Sequence, residues 1–142
     1  MSDLLRLSAT KAAAAIRARK LSPVALVDAV LDGIARTQGS LNAFVTIDEA
    51  GARHAAHEAE RAVAHGEKLG PLHGVPYSVK DLTRTAGLRT TMGSRLFEDF
   101  IPKEDAVPVA RLRAAGAILV GKTTTPEFGH KPFTDSPVSG TS

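Results

Sequence analysis

Residues Ala117 to Val120 form an all-apolar run between Gly116 and Gly121. A strand of that composition has no face to offer water, so it needs cover on both sides, as a parallel strand in a layered α/β domain has. The residues before it predict a helix that Asp105 caps, that turns Val109 and Leu112 inward and that Gly116 ends. Helix, glycine, apolar strand and polar loop make half of a βαβ unit. Val75 to Val79 is short and partly β-branched and predicts another strand, with Pro76 at its start or on an edge. Thr85 to Gly93 reads as loop with room for one short strand, and Thr125-Pro126 as the opening of one more helical turn.

Residues 1–70 differ in character: they are alanine-rich and helical in pattern. Ser8 caps a helix running to about Arg19. Ser22-Pro23 starts a second, whose Val27, Val30, Leu31 and Ile34 recur at helical spacing and which Gly39 is expected to stop. Thr46 to Glu49 has the capping-box pattern for a third helix ending near Gly66, with Ala52, Ala55, Ala59 and Ala62 facing inward. Such a face allows close approach but buries little area, so this helix needs a larger body to pack on.

Several function classes fall away on composition. The chain of 142 residues is 43% hydrophobic and 23% charged, enough apolar material for a core. Without cysteine it has no disulfide framework, thiolate zinc site or catalytic thiol. The N-terminal Met-Ser-Asp-Leu-Leu-Arg-Leu has no basic region followed by an apolar run, so no signal peptide is read and the cytoplasm is the default location. No apolar stretch approaches the ~20 residues of a membrane span. The net charge of +3 is spread evenly, with one Tyr and five Phe as the only aromatics, which is not the footprint of a nucleic-acid binder.

Gly116 to Thr123 matches the phosphate-loop pattern G-x-x-x-x-G-K-[ST]. A phosphate cradle lies after a strand and opens a helix. Here the four intervening residues are themselves strand-like, a helix comes before, and Thr-Thr-Thr-Pro follows, so the segment reads as a buried strand between two glycines. His54 and His57 stand three apart beside Glu58, a two-ligand spacing with no third ligand, and they read as a solvated face with His54–Glu58 and His57–Arg61 pairs. No G-x-S-x-G elbow occurs. Lys80 ends an otherwise apolar strand. Burial could make it a base at neutral pH, whereas the plainer alternatives are that it snorkels to water or pairs with Asp81.

The stretch Gly70-Pro-Leu-His-Gly-Val-Pro-Tyr-Ser-Val-Lys-Asp-Leu82 resembles the amidase signature family. So do, in order, Thr85-Ala-Gly-Leu88, Thr90-Thr-Met-Gly-Ser94, Glu104-Asp-Ala106, Val109 to Gly116, Gly121-Lys-Thr-Thr-Thr-Pro-Glu-Phe128 and Thr134-Asp-Ser-Pro137. Leu21-Ser-Pro23 and Leu41-Asn-Ala-Phe-Val45 are similar to the family's leader, so the resemblance spans nearly the whole chain. It implies an α/β/α fold with a mixed sheet, of which residues 1–142 are the N-terminal portion: a helical leader over 1–70 and the start of the α/β core over 71–142.

The resemblance implies amide cleavage by a Ser–cis-Ser–Lys triad without metal or organic cofactor. Lys80 matches the triad lysine, a general base that relays a proton through the bridging serine to the nucleophile. Both serines and the oxyanion hole belong to a Gly/Ser-rich segment beyond Thr134 to Pro137, so the chain alone is expected to be inactive. Ser136, Ser139 and Ser142 do not lie in such a setting, and Thr134 to Ser142 reads as open loop. His130 and Lys131 fall in the segment similar to the wall of the acyl pocket, with an exposed loop as the alternative. Expected partners are a small amide substrate, the C-terminal portion of the domain, and a possible second copy. Two other readings stay open. One is the component of an aminoacyl-tRNA amidotransferase that releases ammonia from glutamine, which would bring tRNA and other subunits. The other is a non-catalytic fragment or half of a split protein.

Overall fold

The computed structural model describes residues 3–142. Met1 and Ser2, where the stretch read for a targeting signal begins, lie outside the described residues. After a 3-10 turn over Asp3–Arg6, helix α1 spans Ala9–Arg17, and its N-cap Ser8 accepts the amide of Lys11. Helix α2, Pro23–Leu41, starts on Ser22, whose hydroxyl accepts the amide of Ala25, with Pro23 in the first turn. It does not stop at Gly39. It runs to Leu41, and Asn42 ends it in the left-handed conformation at φ 45°, which a short polar side chain tolerates.

Strand β1, Phe44–Ile47, follows at once, so Thr46 lies in a strand and the expected capping box does not form. Asp48 is the cap instead: its carboxylate accepts the amide of Gly51 at the start of helix α3, Glu49–His65. A four-residue strand wedged between two helices is too short for its alternation to show in the sequence. The buried face of α3 is Ala52, Ala56 and Ala59, with Ala55 and Ala62 half-buried at its margin.

Strand β2, Pro76–Lys80, helix α4, Val107–Ala114, and strand β3, Ile118–Thr123, complete the βαβ unit. β3 lies in the middle of a mixed sheet, parallel to β2 on one side and antiparallel to β1 on the other. Pro76 opens an edge strand, where its missing N–H costs no ladder bond. Asp105 does not cap α4. Ala106 holds that position without a side-chain bond, and Asp105 accepts the amide of Ala86 at 2.7 Å and lies 3.4 Å from Arg113, tying the loop after β2 to the helix.

Val27, Leu31 and Ile34 of α2 and the three buried alanines of α3 pack on Ile118 and Val120 of β3. A second cluster of Ala12, Ala13, Ile16, Leu26 and Val75 seats α1. Residues 1–70 thus give the sheet a strand as well as its helical cover. At the far end, Thr134 to Ser142 is not open loop. Asp135–Ser136 (β4) and Gly140–Thr141 (β5) form a small hairpin, and the Asn42 side-chain amide donates to the carbonyls of Ser139 and Thr141 at 2.5 and 2.9 Å.

β1 runs so close to β3 that a Cβ at Gly121 would collide with the Thr46 carbonyl oxygen and lie 3.2 Å from Ile47 Cα. Gly121→Ala is expected to cost about 1–3 kcal/mol by overpacking. Gly39→Ala, in the last turn of α2 with nothing within 4 Å of the new methyl, should gain up to about 0.5–1 kcal/mol. Urea unfolding followed by circular dichroism measures both.

Candidate functional site

The candidate base, Lys80, is the last residue of β2, and its Cα partner on β3 is Thr123, while Val79 faces Lys122. Because side chains alternate along a strand, Lys80 and Lys122 lie on opposite faces of the sheet. The backbone around Lys80 is pinned: the Asp81 amide donates to Thr123 O at 3.0 Å and the Thr83 amide to Lys80 O at 2.9 Å. The Lys80 side chain is exposed, and its ammonium makes no hydrogen bond or ion pair among the described residues. Of the two alternatives to a buried base, the structure therefore shows the lysine reaching solvent and not the pair with Asp81.

Asp81 is fully buried and turned the other way. One carboxylate oxygen accepts both the amide and the hydroxyl of Thr91, at 3.0 and 2.5 Å; the other lies 3.7 Å from Lys122 Nζ. Lys122 is also fully buried. Its ammonium donates to the Thr83 carbonyl at 2.5 Å, the Thr90 hydroxyl at 2.8 Å and the Thr85 hydroxyl at 3.2 Å, which uses all three of its protons. Burial pushes the Lys122 amine below its ordinary value, and the Asp81 charge pulls it part of the way back.

The 81–94 segment is thus a polar shell wrapped over one ammonium, with Thr85, Thr90, Thr91 and Ser94 all buried. This centre is what the sequence reading missed. Its signal was a lysine two residues past an apolar strand together with five hydroxyl residues in the loop after β2. The phosphate-loop pattern drew attention to the same lysine for the wrong reason. Gly121, Lys122 and Thr123 belong to β3, which runs past Val120, so no helix opens there to hold phosphate.

Of the other candidates, His130 and Lys131 follow a 3-10 turn, Glu127–Gly129, whose Phe128 amide donates to Met92 O at 2.8 Å. Gly129 packs against Leu82, two residues beyond Lys80, so this turn adjoins the end of β2. No hydrogen bond or ion pair joins either residue to Lys80. His130 Nδ1 lies 2.5 Å from Glu127 O, and Lys131 pairs with Asp135 at 3.2 Å and sits 5.5 Å from the Phe133 ring centre. Ser136 and Ser139 bond each other inside the terminal hairpin. His54 lies 3.9 Å from Glu58 as expected, but Arg61 takes Glu58 as its partner instead of His57. Among the described residues no group of three His, Asp or Glu side chains gathers to hold a metal, and no helix is long and apolar enough to cross a membrane.

A family model described as Amidase matches residues 25–142. The chain is similar to a glutamyl-tRNA(Gln) amidotransferase subunit of Acidothermus cellulolyticus, 41% identical over 99% of this chain and 28% of that protein. It is also similar to an acylamidase of Rhodococcus erythropolis, 43% identical over 94% of this chain and 28% of that protein. Among solved structures it superposes on a bacterial aryl acylamidase of the amidase signature enzymes with a TM-score of 0.89, at 28% identity over 94% of this chain and 28% of that one. The chain spans just over a quarter of the length of the curated relatives it matches.

The direction of the Lys122 shift fixes the sign of a pH effect. The unfolded lysine holds its proton to 10.5 and the folded one releases it earlier, so between those points the unfolded chain binds more protons. Stability contributed at this site therefore rises with pH in that window and is flat below it. Urea unfolding of the wild-type chain and Lys122→Met at increasing pH is expected to show this rise in the wild type only.

Proposed function

The chain belongs to the amidase family, and on that premise we propose that it carries the general base of an enzyme that cleaves carboxamide C–N bonds to acid and ammonia. The observation that carries this reading is the state of Lys80: in a Val-Lys-Asp element, at the pinned end of β2, with no counter-ion on its ammonium among the described residues. A lysine serves as a base only when its neutral form is within reach, and a paired carboxylate would hold it charged.

In the proposed reaction, neutral Lys80 takes the proton of a bridging serine, which takes that of a nucleophilic serine. The nucleophile attacks the amide carbonyl, and backbone N–H groups stabilise the oxyanion. Protons return to the leaving nitrogen as the C–N bond breaks, and water then hydrolyses the acyl-enzyme. Neither serine is among the residues of this chain, so the chemistry needs residues from a C-terminal portion. His130 and Lys131 are proposed walls of the acyl site, since their turn adjoins Leu82 at the end of β2. No metal or organic cofactor enters these steps.

The similarity to an amidotransferase component supports a second reading, in which the same triad releases ammonia from glutamine for another protein of the complex. Co-purification with further subunits and glutamine-dependent ammonia release would favour it; hydrolysis of simple aryl or alkyl amides without partners favours the first.

In a polypeptide that continues this chain through a Gly/Ser-rich segment, Lys80→Ala is expected to lower kcat/KM for a simple amide by about 10³-fold or more. The 142-residue chain, freed of host amidases, is expected to show no hydrolysis above its own Lys80→Ala control. Hydrolysis by the short chain that Lys80→Ala abolishes would sink the view that the chain alone is inactive. Unchanged turnover in the longer polypeptide without Lys80 would remove Lys80 from the reaction.

A further inference from the structure

Lys122 is the largest fully buried side chain, and the proposed reaction does not use it. Its place suggests what it does. A base next in sequence to an aspartate faces a problem, because the carboxylate one residue away is a ready counter-ion, and an ammonium held by a counter-ion gives up its proton reluctantly. In this fold that aspartate is occupied. Asp81 is turned through the sheet to the face opposite Lys80, gripped by Thr91, and within 3.7 Å of Lys122 Nζ. Other cations of the segment point elsewhere: Arg89 donates to the carbonyls of Glu98 and Val45, and Arg84 is exposed. Lys122 is the one cation paired with Asp81 among the described residues.

We propose that Lys122 is a positioning residue for Lys80: it takes up the charge of Asp81 and gathers the 81–94 loop, and so keeps the neighbouring base free of a counter-ion. The inference rests on Lys80 being the base, and its geometry has two parts. One is charge. The buried pair is neutral as a unit, so Lys80 has neither an extra anion nor an extra cation behind it. The other is shape. Through Thr83, Thr85 and Thr90 the ammonium fixes the loop whose Met92 amide donates to Asp81 O at 3.0 Å and whose Thr91 orients the carboxylate. With Lys122 neutralised, Asp81 has an unpaired charge, and the lysine adjacent to it in the chain is Lys80.

The test reads the Lys80 amine directly and needs no turnover. The 142-residue chain is trace-labelled with acetic anhydride, and peptide mass spectrometry gives the acetylation rate of Lys80 relative to the exposed Lys68 and Lys103. Lys122→Met, which leaves Asp81 uncompensated, is expected to slow Lys80 labelling about threefold, since a nearby anion favours the unreactive ammonium. Asp81→Asn, which leaves the Lys122 charge uncompensated, should speed it by a similar factor. The double variant, neutral at both positions, should return Lys80 to the wild-type rate. A role in packing alone has no sign, so equal rates in all variants, or both single variants moving the same way, would overturn the proposal. Should Lys122→Met lose its helical circular dichroism, the comparison of Asp81→Asn with wild type decides, and a rate that fails to rise counts against it. Loss of the base assignment would be separate: it would appear as unchanged amide turnover in Lys80→Ala with these labelling rates intact.

Discussion

An ammonium with no access to water must find acceptors for its three protons and a charge to balance it, or lose its own charge. In this chain Lys122 meets that condition with residues from one segment, 81–94, which is also tied at its rim by hydrogen bonds to Asp105, Phe100, Pro102 and Ala106. Its buried residues are Asp81, Thr85, Thr90, Thr91, Gly93 and Ser94, so it is packed by polar contacts and not by a share of the apolar core. Removing one member of a buried pair costs about 3–5 kcal/mol. That is a large part of the ~5–15 kcal/mol that separates a folded domain from its unfolded chain. The same contacts fix the end of β2, and hence the direction in which Lys80 leaves the sheet.

The remaining structure serves that arrangement by burying the middle strand. α2 and α3 cover Ile118 and Val120, and the small side chains of α3 let it lie close to the sheet. Further along β3 the cover changes from helices to the loop after β2, and there the strand changes from apolar residues to Gly121, Lys122 and Thr123. Gly121 admits the backbone of β1, and Lys122 fills the space under the loop. One six-residue strand thus passes from hydrophobic core to polar centre within two residues.

What the sequence makes legible is whatever is encoded locally. Ser8, Ser22 and Pro23 mark helix starts by their own chemistry, and the apolar run from Ala117 marks a strand that must be covered. Lys80 at the end of a strand and the amidase resemblance are visible in the same way. What stays hidden depends on partners distant in the chain. β1 is only four residues long and is a strand because β3 pairs with it. Asn42, more than Gly39, ends α2 because the terminal hairpin bonds to its side chain. The direction of Asp81 cannot be read from Lys80-Asp81, since the residue that draws it away comes some forty positions later.

The order of strands has a consequence for how the chain assembles as it is made. Among the described residues β1 and β2 do not pair with each other; each pairs with β3, which is synthesised after both. No two-stranded version of the sheet can form early and wait for the third strand. When β3 is complete, the antiparallel pairing, the parallel pairing and the desolvation of Lys122 all become possible together. Until then the helices of the first seventy residues have no sheet to cover, and both edge strands remain hydrated. Assembly of this sheet therefore waits on one strand, governed by closing loops of about forty and eighty residues onto it.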